Sequence, residues 1–288
     1  MAGQERFKEI NNILNKELEE KKTLIAVHRG TWGGNIVENT IAAYTISRNM
    51  GADMFECDLS KSTDGVVYVN HDGGEKRLFG RDENIKTMSS EQIDQLICRN
   101  SIGLPSMCHV ERFEQIVEHF CHGELYNVDR AWDILGDVDE IMKRYPYAIH
   151  QAVIKTPVKE EYLEFFQNCP RKYMYMPIAY NMDDVKKALS YKDVNMVGVE
   201  VIAASREDEL FQEENIQWIK DQGLYIWVNV ITLCGTGRNV LYGGLDDDTA
   251  LLCGPDKAWG ILMEKGMGIL QTDWPAQMRE YRKTKLGV

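Results

Sequence analysis

Residues 51–72 read GADMFECDLSKSTDGVVYVNHD. Two runs rich in apolar, β-branched and aromatic residues, Met54–Leu59 and Val66–Asn70, flank a K-S-T-D-G turn. That connection is too short for a helix, so the two runs pair as an antiparallel hairpin. Elsewhere the pattern differs. The strand candidates Leu24–His28, Leu125–Val128, Ala148–Ile154, Tyr173–Ala179, Met196–Ile202, Leu224–Ile231 and Met267–Thr272 are separated by longer stretches. Most of these are amphipathic and helix-periodic, as in Asn39–Met50, Glu111–His122, Lys159–Asn168, Asp183–Ser190 and Glu207–Asp221. Strand–helix alternation of this kind specifies a parallel sheet with crossover helices. With the Val66–Asn70 arm set aside, eight strands remain in 288 residues. The expected fold is therefore a TIM (β/α)8 barrel with a short β-hairpin arm after the second strand. No Pro/Gly/Ser-rich linker interrupts it, so residues 1–288 are expected to form one domain. Phe7, Ile10, Leu14 and Leu18 recur at helical spacing and predict an N-terminal helix over residues 4–22.

Composition narrows the partners. The chain carries 45 Asp and Glu against 33 Lys and Arg, a formal net charge of −12. That balance argues against nucleic acid and against adsorption to a membrane surface. No apolar stretch approaches the roughly 20 residues that span a bilayer. Seven cysteines without a compact CxxC spacing point to free thiols in a reducing compartment. The amino-terminal residues are charged and lack the apolar centre of a secretory signal, so the expected location is cytoplasmic.

Chemistry in a parallel barrel collects at the carboxyl ends of the strands. His28 and Arg29 end the first strand candidate, and Glu56 and Asp58 lie in the second. Their spacing of two puts both carboxylates on one strand face. Like charges on one buried face raise each other's pKa. A hard divalent cation, Mg²⁺ or Ca²⁺, relieves this repulsion. Glu56, Asp58 and a third acid such as Asp129 form an oxygen ligand set for it. His71 ends the hairpin arm, Lys155 ends "QAVIK", and Glu200, Asn229 and Asp273 lie in later strand ends. Two imidazoles beside a cation and an arginine suit general acid and base work on a phosphate ester. Asp273, before Trp274-Pro275, reads more simply as a cap or loop residue, and Asp246-Asp247-Asp248 as the acidic start of a helix. The stretch from Leu233 to Pro255, with G-T-G at Gly235–Gly237, is long for a βα loop and reads as a lid or selectivity loop.

In order, His28–Gly30, Glu38–Thr40, Gly51–Asp53, Glu56/Asp58, Asp64-Gly65 and His71-Asp72 resemble the glycerophosphodiester phosphodiesterases. The likeness is dense over residues 24–80 and thin but ordered afterwards. It implies a TIM barrel with a divalent cation, His28 and His71 as the acid/base pair, Arg29 on the phosphate, and Glu56 and Asp58 on the metal. The implied substrate is a small-molecule phosphodiester, cleaved to glycerol 3-phosphate and an alcohol. The order of the two histidines stays open. In this segment the family carries Glu-x-Lys, whereas this chain has Asp129-Arg130-Ala131. Asp129 takes the carboxylate position, and Lys155 on the next strand is expected to supply the missing charge to the phosphate. Two other readings stand beside this one. A glycosidase would use a carboxylate pair but leave both histidines and Arg29 idle. A non-catalytic barrel that binds phosphate esters would account for the altered Asp129/Ala131 segment.

Overall fold

The structure, a computed structural model, describes residues 2–233 and 240–288. Eleven strands form in it: β1 (Leu24–Val27), β2 (Met54–Lys61), β3 (Val67–Val69), β4 (Ile97–Arg99), β5 (Pro105–His109), β6 (Leu125–Asp129), β7 (Ala152–Pro157), β8 (Met174–Ala179), β9 (Gly198–Val201), β10 (Tyr225–Asn229) and β11 (Ile269–Thr272). Eight of them run parallel in the order β1-β11-β10-β9-β8-β7-β6-β2, and pairing of β1 with β2 closes the barrel. β3 pairs antiparallel with β2, Leu59 opposite Val69, as the arm expected from the K-S-T-D-G turn. The (β/α)8 expectation holds.

Strand parity sorts the side chains into two cores. Along β2, Phe55, Cys57 and Leu59 belong to the outer layer between sheet and helices. Met54 points inward and packs with Leu24, Ala26, Leu125, Val153 and Trp227. Glu56 and Asp58 share the inward face of Met54 because the side-chain period is two. Parallel register sets Asp58 beside Asp129. The acids therefore sit above an apolar plug, towards the carboxyl ends of the strands.

The N-terminal segment closes the other end. A short 3-10 turn, Glu5–Phe7, precedes an α-helix over Asn12–Lys21, so the segment expected as one helix is two pieces. Leu14 and Leu18 are buried against the barrel interior. Asp53 fastens this end: it accepts from the Ile25 backbone N–H at 2.7 Å and pairs with Lys21 at 2.7 Å and with Arg282.

Two local features depart from the sequence reading. The strand expected over Ala148–Ile154 forms over Ala152–Pro157, because Pro146–His150 coils into a 3-10 turn. Proline at the start of such a turn has its φ preset and no N–H to lose. The β4–β5 hairpin was not anticipated. Its Ile97 and Met107 face solvent, so alternation against a core gave no signal there.

Glycine is required at one turn that matters. Gly30, at φ 77°, would place a Cβ 2.8 Å from Ala43 Cβ and 2.9 Å from Tyr44 Cδ1. Gly30→Ala is expected to cost about 1–3 kcal/mol of stability. Thermal unfolding checks this, and an unchanged midpoint would refute the packing argument.

Candidate active site

At the carboxyl ends of the strands a cavity of about 270 Å³ is lined by His28, Arg29, Glu56, Asp58, His71 and Asp129, among others. Each is delivered by local structure. Arg29 follows β1 in a left-handed conformation, φ 56°, and its carbonyl accepts from the Asn39 N–H at 2.8 Å. Its guanidinium donates to Glu38 Oε1 at 3.1 Å and lies 3.2 Å from Asp58 Oδ2. Burial alone would raise the Glu38 carboxyl, but Arg77 and Arg29 outweigh it and hold the group below its ordinary value.

The E-N-T run thus has three separate tasks. Glu38 clamps Arg29. Asn39 donates to Asp58 Oδ2 at 3.0 Å and accepts from Tyr44 Oη at 2.8 Å. Thr40 caps the helix Ile41–Asn49 by accepting from the Ala43 N–H.

The two histidines are held differently. His28 Nδ1 lies 3.2 Å from Asp273 Oδ1. Burial would pull this imidazole down, but the Asp273 hydrogen bond and the charge on Glu56 outweigh it and push it up to about 9. Asp273 is itself braced, its N–H donating to Asp247 Oδ2 at 3.0 Å. Asp247 also accepts from Thr272 Oγ1 at 2.8 Å and Trp259 Nε1 at 2.9 Å, and burial pushes its own carboxyl up to about 7.

His71 lies where the arm ends, anchored by the Asn70 N–H on the Asp58 carbonyl at 2.9 Å. Its Nδ1 is 2.8 Å from the Asp72 carbonyl, which fixes the N–H on that nitrogen and leaves Nε2 as an acceptor. Burial, with Arg29 and Arg130 nearby, lowers its pKa despite Asp58. The environments drive the pair apart.

The acids form a crowded, buried group. Burial and the neighbouring Asp58 hold Glu56 well above the ordinary carboxylate range. For Asp129, burial is outweighed by the Lys155 ammonium and the Arg130 N–H, and the pKa falls. Glu56 Oε2 is buried and takes no hydrogen bond from the described residues. Hard carboxylate oxygens, one of them unpartnered, fit a Mg²⁺- or Ca²⁺-like ion. Among the described residues, no three His, Cys, Asp or Glu side chains are already gathered tightly enough to enclose one.

Lys155 departs from its expected place. It is fully buried and absent from the described lining of the cavity, and its Nζ lies among the carboxylates rather than in the phosphate space. The chain's acids claim it. Glu200 and Asn229 do line the cavity, as do Ile178, Ile202, Ile231 and Leu233. Gly235–Gly237 lie outside the described residues. The described remainder of that long connection is packed, with Leu241, Tyr242 and Leu245 buried and Asp246 capping the helix Asp247–Cys253.

Sequence reasoning missed two contributors. Asp273, read as a loop or capping residue, holds His28. Arg130, also at positive φ, lines the cavity and donates to Asp72 Oδ1 at 2.7 Å. The position of Asp273 at a strand end was the only sequence signal for it.

A family model described as the glycerophosphoryl diester phosphodiesterase family matches residues 28–228, most of the chain. The chain belongs to that family. A second model, described only as a domain of unknown function, matches residues 175–282. A family relative from Caldanaerobacter subterraneus, a glycerophosphodiester phosphodiesterase, is 28% identical over 142 residues, covering 49% of this chain and 51% of the relative. The match thus spans about half of that protein's length. Solved family structures share the fold. A glycerophosphoryl diester phosphodiesterase from Parabacteroides distasonis aligns with TM-score 0.72 at 13% identity, over 96% of this chain and 92% of its own. An Oleispira antarctica phosphodiesterase, solved in complex with the product sn-glycerol-3-phosphate, aligns with TM-score 0.63 at 14% identity, over 89% and 95% of the two chains.

Proposed function

We propose that this chain hydrolyses glycerophosphodiesters to glycerol 3-phosphate and an alcohol, with His71 as the starting base and His28 as the starting acid. The observation that carries this reading is the split histidine pair. Asp273 and Glu56 hold one imidazole protonated, burial beside Arg29 and Arg130 keeps the other neutral with its Nδ1–H on the Asp72 carbonyl, and both line one cavity with Arg29. Paired groups whose environments push their pKa values apart are the usual mark of acid/base assignment. Family membership and the product found in the Oleispira relative support the substrate class.

In this reading His71 Nε2 takes the proton from the glycerol hydroxyl that attacks phosphorus. His28 gives a proton to the departing alcohol oxygen as the P–O bond breaks. A cyclic phosphate results. Water then opens it, with the roles reversed: His28 takes the water proton and His71 returns one to the glycerol oxygen. Arg29, rigidly clamped by Glu38 and Asp58, faces the non-bridging oxygens and stabilises their growing charge. Glu56, Asp58 and Asp129 would hold a divalent cation, which when bound polarises a phosphoryl oxygen as a Lewis acid. The six described cysteines are free, which supports a reducing, cytoplasmic setting. No helix among the described residues is long and apolar enough to cross a membrane.

The test is turnover of glycerophosphocholine and of a generic phosphodiester, with and without a chelator. Chelation is expected to abolish turnover, and added Mg²⁺ or Ca²⁺ to restore it. Turnover that survives exhaustive chelation would remove the cation from the reading. Absence of turnover on every diester, with phosphate esters still bound, would favour a binding protein.

A further inference from the structure

One ammonium serves three buried acids. Lys155 Nζ lies 2.7 Å from Glu200 Oε2, 3.2 Å from Asp129 Oδ2 and 3.8 Å from Glu56 Oε1. Its side chain is 1% exposed, and Nζ sits 4.0 Å from the centroid of the Trp227 ring. Glu200 is fixed in turn. It accepts from Asn229 Nδ2 at 2.6 Å, and Asn229 Oδ1 accepts from Trp227 Nε1 at 2.8 Å. Glu56, Asp129, Glu200 and Asn229 all line the cavity, whereas Lys155 stays behind them.

Two features decide what this arrangement does. First, the shortest contact of the ammonium is to Glu200, on the side of the barrel away from β2. Lys155 is therefore anchored through β9 and β10 and reaches Asp129 from a fixed point. Second, register sets Asp129 opposite Asp58 of β2, and the Lys155 ammonium 3.2 Å from its Oδ2 restrains the carboxylate there. A buried ion pair contributes little net stability, but losing one partner strands the other charge in a poor solvent. Without Lys155, Asp129 and Glu200 would face each other with no cation between them.

We propose that Lys155 is a positioning residue, not a phosphate ligand. Anchored on the Glu200–Asn229–Trp227 chain, it holds the Asp129 carboxylate beside Glu56 and Asp58 so that these acids take up a divalent cation. This rests on the reading of Glu56, Asp58 and Asp129 as cation ligands. Partners behind a metal's ligands commonly tune its affinity by 10–100-fold.

Titration calorimetry with Mn²⁺ separates this role from the alternatives, alongside steady-state kinetics on glycerophosphocholine at saturating cation. Lys155→Met is expected to weaken Mn²⁺ binding by about tenfold or more, with the KM for the diester nearly unchanged. Lys155→Arg is expected to recover part of the affinity. Glu200→Gln, which releases the anchor but keeps the shape, is expected to weaken Mn²⁺ binding in the same direction. It also decides the matter if Lys155→Met does not fold. A raised diester KM with unchanged Mn²⁺ affinity would overturn the proposal in favour of a phosphate contact. Tighter Mn²⁺ binding in Lys155→Met or Glu200→Gln would overturn it by showing that the ammonium competes with the cation. Mn²⁺ binding by an unmutated chain that turns over no diester would refute the proposed substrate and leave this inference testable by calorimetry alone. No Mn²⁺ binding by the unmutated chain would refute both.

Discussion

His71→Ala is expected to lower kcat on a phosphodiester by about 10²–10⁴-fold, the usual contribution of a positioned acid or base. His28→Ala is expected to fall in the same range. The pH profile tells them apart. In the proposed mechanism His71 works as the neutral imidazole, and burial with nearby Arg29 and Arg130 places its pKa below the ordinary histidine value. Activity should therefore hold from neutral pH into mildly acidic solution and fall only as the pH drops through that lowered pKa. In the same proposal His28 works as the imidazolium, its pKa pushed up to about 9 by Asp273 and Glu56 against the pull of burial. Activity should fall as the pH rises through that value, because the leaving oxygen then finds no proton. The residual rate of His71→Ala should lose the acid limb and keep the alkaline one, and His28→Ala the reverse. Asp273→Asn keeps a hydrogen-bonding partner for Nδ1 but removes the carboxylate charge, so the alkaline limb should move to lower pH. A profile that keeps both limbs in both alanine variants would sink the assignment.

Much of this architecture was legible because it depends on parity. Once Met54–Leu59 is read as a strand, Met54, Glu56 and Asp58 must share a face, and Phe55, Cys57 and Leu59 the other. Nothing further is needed to send two acids into the barrel mouth. The cluster from His28 to Asp72 was legible for a second reason: it falls within two consecutive strands, one arm and their loops. Residues whose meaning depends on distant partners were not. Asp273 meets His28 across 245 residues, and only closure of β1 on β11 brings them together. Lys155 was assigned to the phosphate because it ends a strand at the catalytic rim. Its true surroundings follow from register, since β7 lies directly beside β6 and so beside Asp129. A local pattern gives the face of a side chain but not the charges that neighbouring strands bring to it. With three acids converging on that point, a lysine is drawn to them before any substrate arrives. Asp247 shows the same limit: read as part of an acidic helix start, it turns inward and braces the turn that carries Asp273.

Arg29→Ala is expected to reduce kcat/KM by about 10²–10³-fold, the scale on which a preorganised charge donor acts on a developing oxyanion. A second, structural effect should accompany it. The Glu38 side chain is fully buried and shared between Arg29 and Arg77. Removing Arg29 leaves this carboxylate with Arg77 alone and takes from Asp58 the guanidinium 3.2 Å away. Breaking a buried pair in this way costs about 3–5 kcal/mol when one partner is left uncompensated; Arg77 and Asn39 keep the loss below that figure. Arg29→Lys isolates the catalytic part. Lysine keeps the charge but lacks the planar fork that reaches Glu38 and Asp58 while presenting further N–H groups to a phosphate. It should therefore unfold closer to the unmutated protein than Arg29→Ala does, yet regain only part of the lost kcat/KM. Inhibition by inorganic phosphate supplies the independent reading, weakening in both variants and more in alanine. Phosphate inhibition that is unchanged in Arg29→Ala, in a protein shown to be folded by its thermal transition, would mean that Arg29 supports the acids without touching the substrate.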